Sequence, residues 1–309
     1  MTDDPIETES IEPPKRNLIS RIFTGPNGLR VIWGILLFLV FVVALAAIVA
    51  GIVSIFHKPS HTKGPATPTR QLIEEALELL VVAGATWLMS LVEHRKFLVY
   101  NLTSDNKLVR FFTGFFWGSA ALSFLIGVLW ALGFITFGGV ALKGADILIY
   151  AGAWGAVFIA VGFFEEMFVR GYLQYTLTRG LGFWWAALIT SLFFLVLHLG
   201  NSGESAVGLS AVALVGLTFC LSIYYTGSLW WAIGFHASWD WAQSYFFGTS
   251  DSGMTNVGHF LNSHPTGNPF WSGGPDGPEG SAFIIPMLLL ICLCMWLWWG
   301  RKKAVQIAN

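Results

Sequence analysis

The chain has few charged residues and few cysteines, and both shortages limit the classes of protein to which it can belong. Only 11% of its 309 residues are charged, whereas 55% are hydrophobic and 16% are aromatic. A formal net charge of −1 without a basic stripe gives no indication of nucleic-acid binding. Because all three cysteines fall in apolar runs, disulfides and a thiolate zinc cluster are not expected; they are Cys220, Cys292 and Cys294. The composition is that of a polytopic membrane protein.

Hydrophobic stretches long enough to cross about 30 Å of hydrocarbon as helices recur along the sequence. The first run is too long and too far from the start to be a typical cleaved signal peptide. We therefore predict an all-α, polytopic membrane helical bundle of about eight transmembrane helices. Their approximate bounds are 31–55, 72–92, 111–137, 147–175, 181–199, 206–226, 229–247 and 282–299.

Lysine and arginine are distributed unevenly between the alternating connections. With the N-terminus inside, the inner segments hold thirteen of these residues and the outer segments hold four. The connection 248–281 contains none. Since cytoplasmic flanks carry the positive charge, we predict a multi-pass protein of the cell membrane with both termini in the cytoplasm.

Composition also divides the chain into regions. The N-terminal residues begin acidic, turn basic and fit a disordered cytoplasmic tail, while Gly and Pro mark a turn-rich extracytoplasmic loop. No internal repeat is evident. The predicted regions are the tail 1–28, two N-terminal transmembrane helices in 29–109, a helical core in 110–247, the extracytoplasmic loop 248–281, and a C-terminal helix with a basic tail in 282–309.

Ionisable residues inside the predicted spans are few. A charged side chain at the centre of a bilayer costs about 2.5 to 3.5 kcal/mol on insertion scales, so each is a candidate functional residue. Glu74 and Glu75 lie near a helix start, where snorkelling to the interface explains them. The candidates are Glu78, Glu165, Glu166, Arg170, His198, His236 and Asp240.

The run EEMFVR holds three of these residues on one predicted helix. Glu166 and Arg170 are four residues apart and can form an ion pair that lowers the cost of burying both. Glu165 lies about 100° round the helix from Glu166 and has no local partner. One interpretation is a structural polar knot of all three. The other is that Glu166 and Arg170 brace the site while Glu165 faces a reacting water as general base.

Two histidines follow on later predicted helices. His198 is the only ionisable residue of the run SLFFLVLHLGN, where a structural hydrogen-bonding role is the simpler interpretation. His236 and Asp240 are four residues apart and share a helix face. The carboxylate could orient the imidazole ring, share a metal ion with it, or neutralise its charge.

Together these residues resemble the CAAX protease and bacteriocin-processing (CPBP) family, intramembrane proteases related to the type II prenyl endopeptidase. Its motifs are a glutamate pair followed by arginine, a phenylalanine four residues before a histidine, and a histidine four residues before asparagine or a substitute. The resemblance covers roughly 110–247. The motif residues here are, in order, Glu165, Glu166 and Arg170; Phe194 and His198; His236 and Asp240.

The resemblance implies hydrolysis of a peptide bond within or beside the membrane. Glu165 and His198 would activate a water, and His236 with Asp240 would stabilise the oxyanion or position that water. The implied partners are the bilayer and a peptide or lipidated-protein substrate. Asp240 stands where the prenyl endopeptidases have asparagine. The resemblance therefore implies the fold more directly than it implies processing of prenylated CAAX proteins.

The resemblance leaves the cofactor open, because the family is viewed either as metalloproteases or as glutamate-dependent enzymes. Glu165, His198 and His236 are a plausible ligand set for zinc or another divalent metal with one open position. The chain has no HExxH motif.

Other classes are also compatible with parts of the sequence. The run GNSG (200–203) is similar to the serine motif of rhomboid proteases, with Ser202 as nucleophile and His236 as base, but that hypothesis leaves the glutamate pair unexplained. Buried Glu and His also suit a proton-coupled transporter, and that hypothesis predicts inverted repeats in the sequence. A non-catalytic membrane immunity or scaffold protein is the third alternative.

Overall fold

The computed structural model describes residues 22–25, 28–56, 67–201 and 203–300. Most of the predicted N-terminal tail, the basic C-terminal tail and Ser202 lie outside these residues. The apolar helices of the described part are α1 (Val31–Phe56), α2 (Pro68–Val92), α3 (Lys107–Ala131), α4 (Asp146–Leu181), α5 (Phe183–His198), α6 (Ala206–Thr226), α7 (Trp230–Asp240) and α8 (Ile284–Gly300).

The predicted all-α membrane bundle is confirmed. By length and composition, five of the described helices are long and apolar enough to cross a membrane: α1, α2, α3, α4 and α6. In lipid a helix satisfies its own backbone hydrogen bonds, which is why these apolar runs fold this way. The division of the chain into five regions stays a prediction.

The predicted third helix, 111–137, is wrong at its C-terminal end. Helix α3 stops at Ala131, the chain turns at Gly133 with φ of 79°, and residues Ile135–Val140 form a strand. That strand pairs antiparallel with Leu261–Pro265. Hydropathy could not separate these residues from the helix, because the strand is defined by a partner far along the sequence.

Residues 248–281, here called the cap segment, form an ordered layer at one end of the bundle. They contain the strand Leu261–Pro265, a helix at Pro269–Ser272 and a 3-10 turn at Pro278–Gly280. The opposite end of the bundle holds the connections after α2 and α6. There Arg110 Nη1 of α3 donates to Ser228 Oγ at 2.8 Å.

Close packing of α3 against α7 places the seventh helix. A Cβ atom on Gly118 would lie 2.2 Å from the carbonyl oxygen of Phe235, and one on Gly114 would lie 2.1 Å from that of Trp231. Only glycine permits this approach. Because His236 follows Phe235 directly, the contact also fixes where His236 lies.

Both helices that carry the paired candidate residues change geometry next to them. Helix α4 passes into a π-helical segment, Met167–Leu173, immediately after Glu166. Helix α7 continues into a second one, Trp241–Phe246, immediately after Asp240. Short π-helical segments are frequent at functional sites.

Candidate active site

Glu166 and Arg170 form the predicted ion pair on α4. Arg170 Nη1 donates to Glu166 Oε1 at 2.7 Å, and both side chains are fully buried. The guanidinium carbon of Arg170 lies 4.4 Å from the ring centroid of Phe194 and 5.4 Å from that of Phe219. These cation–π contacts add to the carboxylate in stabilising a charge that has no access to water.

His236 joins α7 to this pair and to the second glutamate. Its Nδ1 lies 3.2 Å from Glu166 Oε1, and its Nε2 lies 3.6 Å from Glu165 Oε2 and 3.5 Å from Asp240 Oδ2. Glu165 is therefore not isolated, since its partner comes from another helix. Glu166 holds both Arg170 and His236, a second role that helical spacing alone did not indicate.

His198 lies at the last residue of α5, on the wall of the same cavity. Its Nδ1 is 2.9 Å from the carbonyl oxygen of Phe194. A carbonyl only accepts, so Nδ1–H donates; in the neutral form of an imidazole with this tautomer, Nε2 is the acceptor. The Phe194 ring lies 4.5 Å from the His198 ring and 6.3 Å from the His236 ring. Within the described residues, no hydrogen bond or ion pair joins His198 to Glu165 or His236.

These groups open into a cavity of about 350 Å³. Its polar wall brings together residues of four helices and of the cap segment. Its apolar wall includes Phe158, Phe164, Phe168, Leu197, Met254 and Leu288. The polar residues are Gln71, Glu75, Glu165, His198, Asn201, His236, Asp240, Asp251, Ser252 and Glu279.

Sequence reasoning missed several of these wall residues. Glu75, assigned to interfacial snorkelling, lines the cavity, whereas Glu78 is not among the described residues that line it. Asp251, Ser252 and Glu279 also went unnoticed. The available signal was three acidic residues in a connection that has no Lys or Arg, namely Asp251, Asp276 and Glu279.

Several carboxyl groups in and next to the cap segment, outside the membrane-spanning helices, have pKa values above the usual range, and Asp251 and Glu204 are two of them. Burial raises the pKa of Asp251 to about 6, although the hydrogen bond from Ser244 acts in the opposite direction. Burial, together with the nearby carboxylate of Asp276, raises the pKa of Glu204 to about 7. Both groups hold a proton more tightly than an exposed carboxyl does.

The donor geometry gives no support to a metal centre. Within the described part of the chain, no three His, Cys, Asp or Glu side chains form a group that could hold a metal ion. As they lie, Glu165, His198 and His236 do not fit the zinc set considered from the sequence. Zinc stays a prediction.

The fold and this cluster define a polytopic membrane protein with a buried, ionisable site that opens into a cavity. Residues 147–242 match the family model of the Rce1-like type II CAAX prenyl endopeptidases. Over this segment the chain is similar to that family, and the resemblance indicated by the three motifs is confirmed. No curated protein matches the chain. The matched segment includes every residue of the three motifs and ends before the cap segment.

Proposed function

We propose that this protein is an intramembrane endopeptidase that hydrolyses a peptide bond in a membrane-associated peptide or lipidated protein. The observation that supports this function best is the contact of Glu165 with His236 on the wall of a cavity, inside the Rce1-like segment. The cavity of about 350 Å³ that this carboxylate and imidazole line has room for a water and a peptide carbonyl group.

In this proposal Glu165 is the general base. Glu165 takes a proton from water while the water oxygen bonds to the carbonyl carbon, and His198 Nε2 accepts a hydrogen bond that orients the water. His236 donates to the oxyanion. The carbon–nitrogen bond then breaks, and Glu165 returns its proton to the leaving amine.

Asp240 has a narrower role than an asparagine would have at this position. An ionised carboxylate only accepts hydrogen bonds, whereas an asparagine amide also donates. In its ionised form Asp240 cannot donate to an oxyanion, and in this proposal it orients His236, whose Nε2 lies 3.5 Å from Asp240 Oδ2. The oxyanion donor in this chain is His236.

Cleavage by purified protein in proteoliposomes tests the role of Glu165. The assay uses single-span test peptides with randomised flanking residues, and mass spectrometry of the products. Glu165→Ala is expected to lower cleavage by about 100-fold or more, the scale of general-base catalysis. Its thermal stability is expected to stay near that of wild type, since the side chain is 26% exposed. Full cleavage by Glu165→Ala would exclude the assignment.

The same assay separates the alternatives. Full activity in Ser202→Ala is expected, and loss of activity there would favour a rhomboid-like serine protease. Proton uptake that requires Glu165 without any cleavage would favour a transporter. A cellular phenotype of the protein that survives Glu165→Ala would favour a scaffold or immunity role. Elemental analysis of the purified protein, with and without a chelator, tests the zinc prediction.

A further inference from the structure

The cavity extends from the candidate active site toward the cap segment. Asp251, Ser252, Met254 and Glu279 of that segment line it, together with Glu165 and His236. Of the described residues, those that line the cavity include none from the connections 93–106 and 227–229 at the other end of the bundle. Space for a substrate therefore lies between the reacting groups and the cap segment.

The cap segment is fixed to the helix that carries His236 and Asp240. Gln243 Nε2 donates to the Ser250 carbonyl at 2.8 Å and to Glu279 Oε1 at 3.2 Å. One residue further along, Ser244 Oγ donates to Asp251 Oδ2 at 2.9 Å. Asp251 and Glu279, which line the cavity, are thus positioned by the continuation of the helix that carries His236.

Three more hydrogen bonds hold the cap segment. The backbone N–H of Ser252 donates to Glu279 Oε1 at 2.5 Å. Asp276 Oδ2 accepts from the backbone N–H and the hydroxyl of Ser205, at 3.0 and 2.7 Å, at the start of α6. The cap segment is therefore a braced wall of the cavity.

We propose that the cap segment forms a specificity subsite for the substrate peptide, with Met254 and Ser252 in contact with residues beside the scissile bond. The inference rests on the proposed peptidase function. The segment lies outside the matched family region 147–242, at the end of the bundle away from Arg95, Arg110 and Arg179. With the predicted orientation, the substrate is a membrane-anchored peptide whose extracytoplasmic juxtamembrane residues occupy this subsite.

The test compares residue preferences in the peptide-cleavage assay. Met254→Ala enlarges the subsite and is expected to change the preference at positions beside the scissile bond by about tenfold, the scale of a changed hydrophobic contact. Phe270→Ala is the matched control. Phe270 lies in the same segment and is exposed to the same extent as Met254, 49%, but does not line the cavity. Its replacement is expected to leave the preferences unchanged.

A photo-crosslinking residue adds a direct measurement. Benzoylphenylalanine at position 254, in the Glu165→Ala background, is expected to crosslink to the flanking residues of a bound test peptide, and the same group at position 270 is not. Two results would overturn the inference while the peptidase function stands, provided that cleavage still depends on Glu165. One is that Met254→Ala keeps the wild-type residue preferences, and the other is that Phe270→Ala changes them as much as Met254→Ala does. Absence of Glu165-dependent cleavage would overturn both.

Discussion

Glu166 is the residue on which the buried cluster depends, because one of its oxygens contacts both Arg170 and His236. Glu166→Gln leaves the Arg170 charge buried without its counter-ion. Removing one partner of a buried pair costs about 3 to 5 kcal/mol. We therefore expect a clearly lower Tm in detergent, together with lower cleavage.

An exposed pair with the same spacing provides the control. Arg70 Nε lies 2.8 Å from Glu74 Oε1 on α2, with side chains 62% and 53% exposed. Glu74→Gln is expected to leave Tm unchanged, since exposed pairs contribute little. Equal effects of the two variants would contradict the importance assigned to burial.

Asp251 makes stability depend on pH. Its folded-state pKa of about 6 lies above the unfolded value of about 4, so the folded state binds the proton more tightly. Its contribution is therefore fully present below about pH 4 and is lost as pH rises through 6. Asp251→Asn, which can still accept from Ser244, is expected to raise Tm at pH 7.5 and to leave it unchanged at pH 4.

Asp105 is exposed and lies outside this cluster, so its substitution is the matched control for Asp251→Asn. Asp105→Asn is expected to change Tm little at either pH. A stabilisation of about 1 kcal/mol would raise Tm by roughly 2 to 4 °C in a domain of 150 to 250 residues, which thermal unfolding by fluorescence resolves. If Asp251→Asn changed Tm equally at both pH values, Asp251 would not be the source of the pH dependence of stability.

Single elements show what a sequence pattern can and cannot predict. The apolar runs placed the helices, and the i,i+4 spacing predicted the Glu166–Arg170 pair correctly, because both depend on neighbouring residues. The contact of Glu165 with His236 and the strand Ile135–Val140 depend on elements that meet only in the folded chain. The two π-helical segments were also absent from the prediction, since hydropathy does not distinguish them from α-helix.

Packing of α3 against α7 leads to a prediction for α3. Gly118→Ala would place a methyl group 2.2 Å from the Phe235 carbonyl oxygen, so α7 must shift and carry His236 with it. We expect lower Tm and lower cleavage. Gly127 lies on the same helix, and its Cβ would meet nothing within 4 Å. Gly127→Ala is expected to be neutral or to stabilise by about 0.5 to 1 kcal/mol; similar losses in both variants would contradict the packing argument.

The whole molecule has two chemically different ends. The connections after α2 and α6, with Arg95 and Arg110 nearby, lie at one end, and the cap segment without Lys or Arg lies at the other. The proposed reacting groups, Glu165, His198 and His236, line a cavity whose wall includes residues of the second end. The side of the membrane that the cap segment faces therefore decides which population of substrates can reach the proposed subsite.

Orientation is predicted from the charge distribution, which places the Lys/Arg-rich end in the cytoplasm. Asp105 and Lys143 are exposed residues in connections at opposite ends, so single cysteines there report on the two sides. In intact cells, a membrane-impermeant maleimide is expected to label Lys143→Cys at once and Asp105→Cys only after permeabilisation. The wild-type chain, with Cys220, Cys292 and Cys294, gives the background. The reverse pattern would place the cap segment in the cytoplasm, and the substrates would then be cytoplasmic.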